Sequence, residues 1–229
     1  MDSASQGRLP LQGYAVAWLW TVFVGEIMQA LLKLTRAIDW LNGLIGRYVI
    51  WLILASTVIS GVNAVVRKAF NMSSNAYLEV QWYLFAASFL LAAGYTLLNG
   101  EHVKIDVISS RLSKRTQIWI DVVGFALFLT PFCLTILWFG IPYFLKAFYS
   151  GEMSSNAGGL LRWPVYLMMP LGFGLLMLQG LSELIKRVAY LMGLIDDPTI
   201  KKVDKTAEEE LAEAIQKLAE EKAAKAHAA

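Results

Sequence analysis

Histidine and cysteine are nearly missing from this chain: two His and one Cys among 229 residues. Cys133 alone builds no disulfide and no cysteine metal site within one chain, and reads as a small apolar filler. His102 and His227 fall outside the apolar runs, so a bis-His haem inside a bilayer is not available here. Gly-rich phosphate loops, HExxH and CxxC are absent, and no nucleophile–base pair stands out. The expectation is a non-enzymatic protein without cofactor or metal. A net charge of +2 gives no reason to expect a nucleic-acid partner.

The absence with the largest consequence is of charge. Residues 48–66, 80–98, 122–145 and 163–182 contain no Asp, Glu, Lys, Arg or His, over 19, 19, 24 and 20 positions. At ~1.5 Å per helical residue, each run can cross a hydrocarbon core of ~30 Å. With 57% hydrophobic residues, the chain reads as an all-α membrane protein with four transmembrane helices. An ionisable residue at mid-bilayer costs about 2.5–3.5 kcal/mol or more and is kept for function. The four runs keep none, so the chain is not expected to move a charged solute by itself.

What is present divides the chain into three parts: an N-terminal amphipathic arm (1–40), a transmembrane domain (41–190) and a charged tail (191–229). In the arm, Thr21, Gly25, Gln29, Lys33 and Arg36 form one polar stripe on a helix otherwise covered by apolar residues. A helix lying in the membrane interface fits, and a fifth span with its stripe against a partner is the alternative. The tail holds a capping box, Thr206 to Glu209, and the i,i+4 pairs Glu213–Lys217 and Glu221–Lys225, which suit a solvated helix. Lys and Arg number 4, 2, 4, 2 and 8 in successive non-membrane segments, which by the positive-inside rule places both termini in the cytoplasm.

Within the runs, Ser56, Ser60, Asn63 and Arg67 share one face of span one and suit close helix packing rather than a solute track. Span three contains Pro131 and Pro142, so a kink or tilt is expected. Asp121 is read as a first-turn residue favoured by the helix dipole. Gly172 and Gly174 of span four allow another backbone to approach. Glu183 is expected to pair locally with Lys186 or Arg187, to little effect if exposed.

Two junctions are distinctive. Glu79 and Trp82 open span two, and His102-Val103 followed by Asp106-Val107 closes it, with Arg67 ending span one. Over roughly residues 37–190 this pattern, together with Pro170-Leu171-Gly172, resembles the small membrane subunit (DctQ type) of tripartite ATP-independent periplasmic, or TRAP, transporters. The resemblance implies a bacterial inner-membrane subunit that packs against the fixed part of a larger elevator-type permease. A periplasmic solute-binding protein would deliver organic acids for sodium-driven uptake. It also implies structural or subunit-interface roles for Arg67, Glu79, Trp82, His102, Asp106 and Gly172, to which the packing face of span one adds Asn63. Arg67 is expected to pair with Glu79 across the outer loop, and His102 with Asp106 to organise the loop after span two. A membrane anchor of a redox complex and a self-contained carrier of a neutral solute are the alternatives.

Overall fold

The computed structural model describes residues 11–71, 74–101 and 112–198, with side chains from residue 25 onward. The chain divides into Met1–Asp196 and Asp197–Ala229, and the second unit lies outside the described residues beyond Pro198. The tail helix and the 102–107 box expected from the sequence also lie outside them.

Four long helices make up the described part of the first unit: α1 (Leu11–Phe70), α2 (Asn75–Leu98), α3 (Lys114–Ser150) and α4 (Trp163–Leu191). Each contains a stretch long and apolar enough to cross a membrane. α4 is the centre of the bundle and packs against the other three; α1 also packs on α2, whereas α3 packs chiefly on α4.

α1 is one helix of 60 residues, ~90 Å if straight, and does not break between the expected arm and span one. The reason is a single seam. Met28, Thr35, Ile38, Asn42, Val49 and Ser56 are all buried, with 28, 35, 42, 49 and 56 at steps of seven. A seven-residue period keeps one face against neighbours that supercoil gently around it. Met28 joins Ile185 and Ala189 in a small core, so this part of α1 is held by the end of α4. Lys33 and Arg36 of the polar stripe are exposed on the other side. Small residues let the helices approach. A Cβ on Gly172 would lie 2.6 Å from the Leu90 carbonyl oxygen, whereas one on Gly174 would meet nothing. Of the two expected close approaches, the structure places one.

α3 contains the local irregularity that Pro131 demands. Residues 125–129 form a π-helical turn immediately before it. In a regular helix the proline ring would strike the carbonyl four residues back, and widening the turn removes that clash. Thr130 closes the turn, its backbone N–H and hydroxyl both donating to the Phe125 carbonyl, the hydroxyl at 2.8 Å. The extra residue also sets the register. Cys133, Gly140 and Ala147 are buried at steps of seven. Continued backward, that phase would bury 126 and 119, yet Ala126 and Trp119 are exposed, and Phe125 and Ile118 face α4 instead. Deleting Phe128 together with Pro131→Ala should therefore leave both faces in register and preserve folding. Deleting Leu134 with Pro131 kept leaves the π turn in place, rotates the part of α3 beyond residue 134 by about 100° and should abolish monodisperse protein on size-exclusion chromatography.

Candidate functional site

The side chains that tie the helices together gather at the two ends of the bundle. At one end the segment between α3 and α4 turns back on itself as a short hairpin. Gly151 ends α3 with a left-handed φ of 60°, a conformation glycine adopts without Cβ strain. Met153 then bridges Leu161, with Ser154 N–H donating to the Leu160 carbonyl at 2.8 Å and Arg162 N–H to the Glu152 carbonyl at 2.9 Å.

One face of α2 clamps this hairpin. Asn75, Glu79 and Tyr83, at steps of four, all reach it. Glu79 accepts from the Leu160 backbone N–H at 2.6 Å and from Asn156 Nδ2 at 2.8 Å. Asn75 Nδ2 donates to the Ala157 carbonyl at 3.0 Å, and the Tyr83 hydroxyl donates to the Leu161 carbonyl at 3.0 Å. Glu79 is buried, so its carboxylate replaces the water it gives up with these donors. Arg162 bonds Glu152 at 3.1 Å and reaches the Tyr166 hydroxyl, and these two contacts hold its guanidinium above the ordinary pKa.

Arg67 does not pair with Glu79. It is exposed in the last turn of α1, and the Glu79 carboxylate is turned to the hairpin. The pairing expected across the loop assumed that adjacent charges in sequence would meet; the unsatisfied backbone N–H of the hairpin is the stronger claim on a buried carboxylate. Trp82 is half-exposed with its ring edge-on to Tyr83, 4.4 Å between centroids. Asn63 lines a cleft between α1 and α2. His102 and Asp106 lie outside the described residues. Substituting Glu79 with Ala should destabilise the hairpin end more than Glu79→Gln, which retains one acceptor. Limited proteolysis within residues 151–162 is the measurement, and equal cleavage of all three proteins would refute the clamp.

The opposite end holds a buried polar network shared by α1, α3 and α4. Asn42 Nδ2 donates to Gln179 Oε1 at 3.0 Å, and Gln179 Nε2 donates to Asp39 Oδ1 at 2.9 Å. The Ser182 hydroxyl donates to the same Asp39 oxygen at 2.8 Å. Lys186 joins Asp39, at 2.9 Å, to Glu183, at 2.6 Å. Arg187 bonds Glu183 and reaches Asp121 at 3.0 Å, with its guanidinium 4.7 Å from the centroid of Phe125 in the π turn. Gly94 belongs to this assembly, because a Cβ there would collide with Asn42 Oδ1.

Two expectations are corrected here. Glu183 and Arg187 are buried, so their pairing is not a weak surface contact. Asp121 lies in the third turn of a helix that begins at Lys114, and it serves as the contact of α3 to α4 rather than as a dipole cap. The signal was in the sequence: Asp39 and Asn42 on one helix, and Gln179, Ser182, Glu183 and Lys186 on another, are polar sets at spacings of three and four. Among the described residues, no group of three or more His, Cys, Asp or Glu side chains could hold a metal ion. The arrangement joins helices, and its charges are committed to one another.

A family model described as "Tripartite ATP-independent periplasmic transporters, DctQ component" matches residues 56–189. No curated protein and no solved structure matches the chain.

Proposed function

Since this chain belongs to the DctQ family of tripartite ATP-independent periplasmic transporter components, we propose that it is the small permease subunit acting as a fixed scaffold for a larger one. It is a multi-pass membrane protein of a transport system. In our reading it sits in a bacterial inner membrane with both termini cytoplasmic and the hairpin end in the periplasm. The larger subunit would carry the sodium and organic-acid sites, and a periplasmic binding protein would deliver the solute.

One observation carries the scaffold reading. One end of the bundle is fastened by a buried polar network and the other by hydrogen bonds to the hairpin around the buried Glu79, while large apolar faces stay uncovered between them. On α3, Trp138 and Phe139 are 77% and 70% exposed, and on α1, Tyr48, Ile50 and Trp51 exceed 60%. A rigid body with apolar outer faces suits lateral packing in a bilayer, where tight van der Waals contact joins helices. The buried carboxylates and cations are locked in ion pairs at one end, an arrangement suited to holding helices rather than passing a solute.

The test is reconstitution. Proteoliposomes containing this chain, a partner large permease and its binding protein should take up an organic acid only with an inward sodium gradient. Liposomes with this chain alone should take up none. Uptake by the chain alone would overturn the scaffold reading.

A further inference from the structure

We propose that the cleft between α1 and α2 at the hairpin end holds an anionic phospholipid, with an acyl chain against α1 and the phosphate beside Arg67 and Lys68. The cleft has a volume of about 360 Å³. Val58, Val62 and Val66 supply its apolar wall at steps of four along α1, and Asn63, Ser74 and Tyr77 supply its polar groups. Val58 and Val62 are more than half exposed, so the wall is uncovered within this chain.

Two properties select the occupant. The first is depth. From residue 58 to 66 the wall rises about 12 Å along the helix axis, comparable to one leaflet of a ~30 Å hydrocarbon core. Its polar members Ser74 and Tyr77 lie at the start of α2, where the chain re-enters the bundle. The site thus passes from apolar to polar in the direction that a lipid does.

The second is charge. Arg67 and Lys68 occupy the last turn of α1, one turn beyond Asn63, and both are exposed. The acids at this end are engaged elsewhere: Glu79 accepts from Asn156 and Leu160, and Glu152 pairs with Arg162. Among the described residues neither cation has an ion-pair partner. A helix C-terminus tolerates cations through its dipole but does not neutralise two of them. Paired basic residues beside an apolar surface at headgroup depth attract anionic lipid. This inference is independent of the transport reading, since it requires only that the chain sit in a bilayer.

The experiment is native mass spectrometry of the full chain in detergent, with phosphatidylglycerol and phosphatidylcholine of matched acyl chains competing. The wild-type chain should retain phosphatidylglycerol with a preference on the order of tenfold. Arg67→Gln with Lys68→Gln should erase that preference while retaining helicity by circular dichroism. Val62→Trp, at an exposed position, should fill the cleft and reduce retention of both lipids. Equal retention of the two lipids by wild type, a preference that survives Arg67→Gln with Lys68→Gln, or undiminished retention of both lipids by Val62→Trp, would overturn the proposal. So would efficient crosslinking of Val62→Cys to the large permease in a complex from which phosphatidylglycerol is absent, because the cleft would then belong to a protein neighbour.

Discussion

Replacing Arg187 with alanine should lower stability by about 3–5 kcal/mol, as expected when one partner of a buried ion pair is removed. The guanidinium is the meeting point of α3 and α4: it contacts Glu183 on its own helix, Asp121 on α3 at 3.0 Å and the Phe125 ring. Without it, Glu183 shares a single remaining cation, Lys186, with Asp39. Arg187→Lys keeps a charge but offers a compact ammonium in place of a planar fork, and should fall between wild type and alanine. Thermal unfolding in detergent, followed by tryptophan fluorescence, measures the series. Replacing Arg187 by Met, Glu183 by Gln and Asp121 by Asn together should recover much of the loss, since neither carboxylate that faced Arg187 then stays charged without it. An Arg187→Ala protein as stable as wild type would show that the network does not hold α3.

Introducing leucine at Gly172 should strongly destabilise the packing of α2 on α4. The added Cβ would lie 2.6 Å from the Leu90 carbonyl oxygen and 2.8 Å from the Leu90 Cβ, so backbone, not a mobile side-chain tip, obstructs it. α2 and α4 must separate, at a cost of about 1–3 kcal/mol or more. The separation would also draw Gly94 of α2 away from the Leu175 carbonyl oxygen of α4, which lies 3.3 Å from where a Cβ on Gly94 would sit. Gly174→Leu is the control. Nothing lies within 4 Å of a Cβ there, and the expected change is within about 0.5 kcal/mol. Equal effects of the two substitutions would refute close approach at Gly172.

These two predictions differ in how far the sequence anticipates them. Gly172 is legible from sequence as a small residue in an apolar helix, but so is Gly174, and only the placement of Leu90 separates them. Arg187 is legible as a charge four residues from Glu183, yet its burial depends on α1 and α3 closing over α4. Asp39 and Asp121 lie 82 positions apart in the chain and reach adjoining parts of one network only through folding. The π turn has a signal in Pro131, and the one-residue shift in buried phase appears once Ile118 and Cys133 are seen to face the same helix.

Sequence by itself determined that this is a membrane bundle of four apolar helices, because span length and the absence of charge are properties of contiguous residues. It also carried the family, through Arg67, Glu79, Trp82 and the box that follows span two. Which charges are buried, and what they meet, was decided by tertiary structure alone. A carboxylate satisfies the nearest desolvated donor in space: for Glu79 that donor is the Leu160 N–H rather than Arg67, and for Asp121 it includes Arg187 rather than its own helix terminus. Desolvation makes those contacts strong, and desolvation exists only where helices distant in sequence have closed around them.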